Sequence, residues 1–191
     1  MSADSEPVRV VLGPRRRADA LSARGERAAV RRACRGDADA LAVLFRAHWP
    51  AAYRSAWLIV RDDHAAEDIA QEGFVAAIRA LDRFDRSRPF GPWLRTIVAR
   101  RAIDAARARA LRREVGAEPL EAVAARRRPD GIADDVLRAV AALPDDQRIA
   151  VVLRHLLELT PTEIAALLDV PRGTVNSRLR RGLDALGEAL R

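Results

Sequence analysis

The chain has 191 residues, 49% of them hydrophobic and 32% charged, with 34 basic residues, all arginine, against 27 acidic ones. This composition suits one folded domain or two small ones and excludes a chain disordered throughout. The formal charge of +7 calls for an anionic partner, with nucleic acid ahead of membrane.

The chain opens on Met-Ser-Ala-Asp-Ser-Glu-Pro, which lacks the apolar core of a targeting segment. No later apolar run approaches the roughly 20 residues needed to span a bilayer, so no membrane insertion and a cytoplasmic setting are expected. Residues 1–35 are basic and broken by Gly13, Pro14 and Gly25, and read as a flexible, poorly ordered arm with one short helix. The lone Cys34 cannot form an internal disulfide, which fits a reducing compartment and an idle thiol.

From Gly36 onward Ala, Leu, Arg and Glu dominate while aromatic residues make up only 4%, so the fold is predicted to be all-α. A first helical stretch ends at Trp49, where Pro50 limits continuation, and a second runs from Ala51 to about Val60. Trp49, Tyr53 and Trp57, four residues apart, stack on one face if the helix runs on, and such a stripe belongs to a core. Asp62 and Asp63 can cap a third helix whose buried stripe is Ala70, Phe74, Ile78 and Leu81. On its other side Glu67, Asp68, Gln71 and Glu72 make one acidic, amide-bearing strip suited to a basic partner surface.

Residues 83–92 form an Arg-, Pro- and Gly-rich loop, followed by a basic helix from Trp93 to about Arg113. Nine arginines stand against one acid over residues 86–113, a surface that can follow phosphates. Phe84, Phe90 and Trp93 offer rings on which an unstacked base could rest. Trp93 itself opens the helix's apolar stripe and is assigned to the core, which leaves Arg86 and Arg88 as the safer contacts. A first domain over 36–111 is followed by a linker at 112–131, where Gly116, Pro119, Arg126 to Arg128 and Pro129 break any apolar stripe.

The second domain, 132–191, has a helix interrupted at Leu143-Pro144-Asp145 and another with Ile149, Val152, Leu153, Leu156 and Leu157 as its apolar face. Thr160 to Leu179 then reads as a helix-turn-helix. Thr160 and Glu163 form a capping box, Pro161 takes the first helical position, and Ile164, Leu167 and Leu168 face inward. Asp169-Val170-Pro171 turns the chain, and Val175, Leu179, Leu183 and Leu186 supply the buried stripe of the second helix. Arg172, Asn176, Ser177, Arg180 and Arg181 must then point outward, where arginine can grip guanine and asparagine adenine, while Ser177 or Arg178 can reach phosphate. His48, His64 and His155 are too scattered for a zinc site, so no metal or cofactor is expected.

These residues resemble a known family. Asp145-Asp-Gln-Arg148, Thr162-Glu-Ile-Ala165 and Gly173-Thr-Val-Asn-Ser-Arg-Leu179 are similar to region four of the extracytoplasmic-function (ECF) sigma factors of the sigma-70 superfamily. Ala66-Glu-Asp-Ile-Ala-Gln-Glu-Gly-Phe74 and Phe90-Gly-Pro-Trp-Leu94, with Asp104 and Arg107, resemble region two. The resemblance covers about Gly36 to Leu190 and implies a promoter-recognition subunit of RNA polymerase. It implies that Glu67, Asp68, Gln71 and Glu72 bind core polymerase at the β′ clamp, with β as a further contact. It also implies that Arg86, Arg88, Phe90, Arg95, Arg100, Arg101 and Arg107 hold the minus-10 element of promoter DNA. Arg172, Thr174, Asn176, Ser177, Arg178, Arg180 and Arg181 would read the minus-35 element. An anti-sigma factor is implied as a partner, and no appended regulatory domain is expected. Two positions depart from the family pattern: Arg100 stands where Asn is frequent, and Asn176 where Lys or Arg is usual.

The competing reading is a helix-turn-helix regulator that binds duplex DNA without polymerase, its first domain serving ligand binding or dimerisation. A helical adaptor or hydrolase is more distant, because the sequence shows no paired catalytic acids, nucleophile elbow or phosphate loop, and no enzymatic activity is expected.

Overall fold

The computed structural model describes residues 21–114 and 134–191, which fall into two compact units. All regular structure among the described residues is helical, as the composition predicts.

The first unit contains α1 (Ala23–Ala33), α2 (Ala38–Val60), α3 (Asp63–Arg79), a single 3-10 turn (Leu81–Arg83) and α4 (Phe90–Glu114). The central helix α2 packs against all three others. Its start is set by Asp37, whose carboxylate accepts the Ala40 N–H at 3.0 Å. Pro50 does not divide it. The expected break between Trp49 and Ala51 is absent because the helix is anchored on both sides of the proline, by Leu44 before it and by Ala52, Ala56, Leu58 and Ile59 after it, all buried. That burial outweighs the one backbone hydrogen bond the imino acid cannot make. Continuity brings Trp49, Tyr53 and Trp57 onto one face, where the Trp57 indole N–H donates to Asp63 at 2.8 Å and the Tyr53 hydroxyl at 3.3 Å.

Asp62 caps α3 by accepting the Ala65 N–H at 3.0 Å, one of the two caps expected. The buried stripe is Ala66, Ile69, Ala70, Gly73, Phe74 and Ala77, continuing to Leu81. Ile78, expected among them, is 44% exposed, since Ala77 takes the inward position one residue earlier. Helix α4 begins at Phe90, three residues sooner than expected, with Gly91 and Pro92 in its first turn, where a missing N–H costs nothing.

Gly73 allows α3 and α4 to approach closely: a Cβ there would lie 2.5 Å from Val98 Cγ2. Alanine in place of an exposed helical glycine gains up to about 1 kcal/mol. Here the clash should reverse that sign, so Gly73→Ala is expected to lower stability by about 1 to 2 kcal/mol in urea unfolding. In combination with Val98→Ala the two changes should couple by about 1 kcal/mol or more, and strictly additive values would show that the helices can simply shift apart.

The one short helix expected within residues 1–35 is present among the described residues. Residues 23–33 are a helix started by Ser22, whose hydroxyl accepts the Gly25 N–H at 3.1 Å. It is ordered because Ala29, Val30 and Ala33 are buried against α2 and α4. Cys34, at its end, places its sulfur 3.7 Å from the Leu81 carbonyl.

The second unit contains α5 (Asp134–Ala142), α6 (Asp145–His155), α7 (Pro161–Leu168) and α8 (Arg172–Ala189). The break at Leu143-Pro144 falls where expected. The capping box is complete: Glu163 accepts the Thr160 N–H at 2.8 Å, and the Thr160 hydroxyl accepts the Glu163 N–H at 3.3 Å. Asp169 ends α7 in the left-handed conformation, φ 54°, and the turn it makes sets α8 against α6 and α7. Ile164, Leu168, Val175, Leu179 and Leu186 are buried as expected, whereas Leu167 and Leu183 are only partly so. Gly182 is the close approach of this unit, since a Cβ there would lie 2.8 Å from Val151 Cγ2. Of the expected linker, residues 112–114 belong to α4 and 115–131 lie outside the described residues.

Candidate nucleic-acid interface

Three surfaces carry the candidate residues. The acidic strip lies on α3, where Glu67, Asp68, Gln71 and Glu72 are all exposed, opposite the buried Phe74. Beside it runs an open groove of about 740 Å³ lined by Asp68, Gln71, Glu72, Val75, Arg79 and Arg101 among others. Val75 is 46% exposed, so the surface pairs carboxylates with apolar contact area. Glu72 is already engaged, its carboxylate 3.7 Å from Arg101 of α4. Glu67, Asp68 and Gln71 have no such partner among the described residues.

On α4 and the loop before it, Arg86, Arg88, Arg100 and Arg107 are exposed, while Arg95 and Arg101 are half-buried. Arg88 lies 3.4 Å from Asp85, whose carboxylate also accepts from the Ser87 hydroxyl and N–H, a local turn that shapes the loop. Phe90 corrects the sequence reading. It is 3% exposed, packed at ring-centroid distances of 5.3 Å from His48, 5.9 Å from Phe84 and 5.7 Å from Trp93, so it is a pillar beneath the loop and offers no free face to a base. Trp93 is half-buried and packs against Phe84 at a ring-centroid distance of 4.5 Å with the planes tilted by 36°, in keeping with its core assignment.

One residue of this site escaped the sequence reading. Glu26 of α1 accepts the Phe90 N–H at 2.7 Å, satisfying one of the open amides of the α4 N-terminus. Its other oxygen lies 3.1 Å from His48 Nε2. Burial opposes ionisation of this carboxyl, but the contacts to His48 and the Phe90 N–H, with Arg95 nearby, outweigh it and hold the group below its ordinary value. No local pattern announces this link, because its partners lie 22 and 64 residues away.

The outer face of α8 presents Arg172, Asn176, Arg180 and Arg181 to solvent. Thr174, Ser177 and Arg178 are half-buried. The Ser177 hydroxyl donates to the Thr174 carbonyl at 2.9 Å, and Arg178 is held 3.2 Å from Asp146 of α6, which braces the helix from behind. Arg172, Asn176 and Arg180 keep the i, i+4 spacing of a single face, as a groove-reading helix requires, and Arg181 extends it to the side.

Residues 44–112 match the Sigma-70 region 2 family and residues 133–186 match Sigma-70, region 4. The ECF RNA polymerase sigma factor SigW of Bacillus subtilis is 32% identical over 172 residues, covering 82% of this chain and 92% of that protein. The chain belongs to the ECF RNA polymerase sigma factor family. The ECF sigma-E factor of Escherichia coli is 34% identical over 134 residues, 62% of this chain and 70% of its own.

Two solved structures of sigma factors are similar in fold and sequence. RpoE in complex with the anti-sigma factor NepR from Bartonella quintana aligns at a TM-score of 0.56 with 28% identity, over 76% of this chain and 93% of that one. CnrH in complex with the cytosolic domain of CnrY aligns at 0.55 with 27% identity, over 86% and 96%. As an ECF sigma factor the chain acts with core RNA polymerase in transcription initiation, and a regulator working without polymerase is not favoured. Among the described residues no helix is long and apolar enough to cross a membrane, and no group of His, Cys, Asp and Glu is arranged to hold a metal.

Proposed function

We propose that the three surfaces divide the work of the sigma factor between two partners. The exposed acidic strip of α3, with its adjoining groove, docks on a basic face of core polymerase at the β′ clamp, with β as a further contact. The arginines of α4 and its preceding loop follow the strand at the minus-10 element, and the outer face of α8 reads the minus-35 element. The protein performs no bond chemistry of its own, acts in the cytoplasm, and is held in check by an anti-sigma factor, the kind of partner that RpoE of Bartonella quintana binds. The observation that carries this reading is the segregation of charge: α3 presents acids outward where α4 presents arginines, so one unit carries a polymerase-type and a DNA-type surface.

The test is run-off transcription with purified core polymerase on promoter fragments, alongside footprinting of the chain alone. Promoter-specific transcripts that need both components are expected, and a palindromic footprint by the chain alone would overturn the reading. Within that assay Arg181→Ala should weaken minus-35 recognition by about 1 to 3 kcal/mol and relax one base preference. Unchanged selectivity on a panel of mutated minus-35 sequences would remove Arg181 from the base-reading set.

A further inference from the structure

Helix α1 has two unlike faces. Ala29, Val30 and Ala33 are buried, while Arg24, Arg27 and Arg31, spaced three and four residues apart, share the opposite side. Arg32 is committed to Asp37 at 2.7 Å. Arg27 and Arg31 are exposed and have no hydrogen bond or ion pair among the described residues.

These two side chains line a cavity of about 50 Å³ that the loop before α4 closes from the other side with Arg86 and Arg88, Phe84 and Phe90 adding apolar lining. Arg86 is likewise exposed and without a partner among the described residues. Among the described residues the only acid on the cavity wall is Glu26, and its carboxylate is already occupied by the Phe90 N–H and His48. Arg88 is paired with Asp85 at 3.4 Å, which leaves three guanidinium groups, those of Arg27, Arg31 and Arg86, around one small space with no carboxylate of their own, an arrangement that favours an anion among them.

We propose that α1 is the second wall of the strand-binding site, with Arg27 and Arg31 taking backbone phosphates of the unpaired promoter strand that the loop and α4 hold on the other side. The inference rests on the reading of that loop and α4 as the minus-10 surface. The space holds about one or two waters, which suits phosphate oxygens and excludes a base ring. A phosphate can place its oxygens at the mouth of such a space, and a duplex is too wide to enter it. The packed rings of Phe84, Phe90 and Trp93 leave charge, not stacking, as the means of capture. Arginine suits the role because its planar fork matches two phosphate oxygens at once. Glu26 sets the spacing of the two walls, since it belongs to one and caps the other.

The test uses holoenzyme assembled from the full chain and core polymerase, bound to a forked promoter fragment with an unpaired minus-10 segment, over a range of salt concentrations. Each lost single-strand phosphate contact lowers the slope of log Kobs against log salt by about 0.7, so Arg27→Gln with Arg31→Gln should lower it by about 1.4. Arg27→Lys with Arg31→Lys should keep the slope close to wild type. Both pairs are exposed, so folding is not at stake. An unchanged slope in the Gln pair, or equal losses in the Gln and Lys pairs, would overturn the role of α1. Arg86→Gln with Arg88→Gln separates the two readings. If that pair lowers the slope while the α1 pair does not, the minus-10 surface stands and α1 falls. If neither pair moves it, both fall together.

Discussion

Asp68→Arg combined with Gln71→Ala is expected to release the protein from core polymerase. The two side chains are the strip's exposed members that border the groove and carry no partner among the described residues. Docking would desolvate them against a basic surface. Residues at the centre of such a patch carry most of the binding energy, and a reversed charge adds repulsion. A loss of about 2 to 4 kcal/mol follows, a thirtyfold to thousandfold rise in Kd. Comigration with core polymerase on a sizing column, followed by titration, measures it. Glu72→Gln should cost less, because part of its charge is already answered by Arg101 at 3.7 Å. Retained association in the double variant, with an unchanged melting temperature, would show that polymerase docks elsewhere.

The second large effect concerns stability. Arg148 is one of the few charged side chains in the interior, 4% exposed, its guanidinium donating to the Leu143 carbonyl at 2.9 Å and reaching the Asp145 carboxylate at 2.9 Å. It thereby ties the break after α5 to the first turn of α6. Arg148→Ala removes a charge-assisted donor from a buried carbonyl and empties the space of a long stem, which together should cost about 3 kcal/mol. Asp145 is 76% exposed and is rehydrated once its partner is gone, so the penalty of a stranded buried charge does not arise. Arg148→Met, which keeps the stem and loses the donors, should recover about half of the loss. Urea unfolding of the three chains reports the series, and binding of a minus-35 duplex should fall in parallel as α8 loses its support. A stability for Arg148→Ala within about 0.5 kcal/mol of wild type would mean that the turn is held by the backbone alone.

The sequence was most legible where the determining interactions are local. The capping box of Thr160 and Glu163 spans three residues, and the inward positions of α8 follow from helical spacing, so the helix-turn-helix could be read directly. The acidic strip was readable for the same reason. What escaped depends on distant partners. Pro50 reads as a break until the buried residues on both sides of it are known, and Ile78 reads as core until Ala77 is seen to take its place. Phe90 looks like a free ring in a loop, yet His48, Phe84 and Trp93 close over it. The arginines of α1 could not be told from a solvated tail, because the face that orders the helix consists of two alanines and a valine.

The bond from Glu26 to the Phe90 amide bears on how this sigma factor can be divided for study. The family match begins at residue 44, and a cloning boundary drawn there, or at Gly36, would discard the acceptor while keeping the donor. Such a fragment would expose the apolar patch that Val30 and Ala33 cover and free the first turn of α4, so its weakened promoter opening would reflect the cut, not the native protein. An expression boundary ahead of Leu21 preserves both halves of that contact.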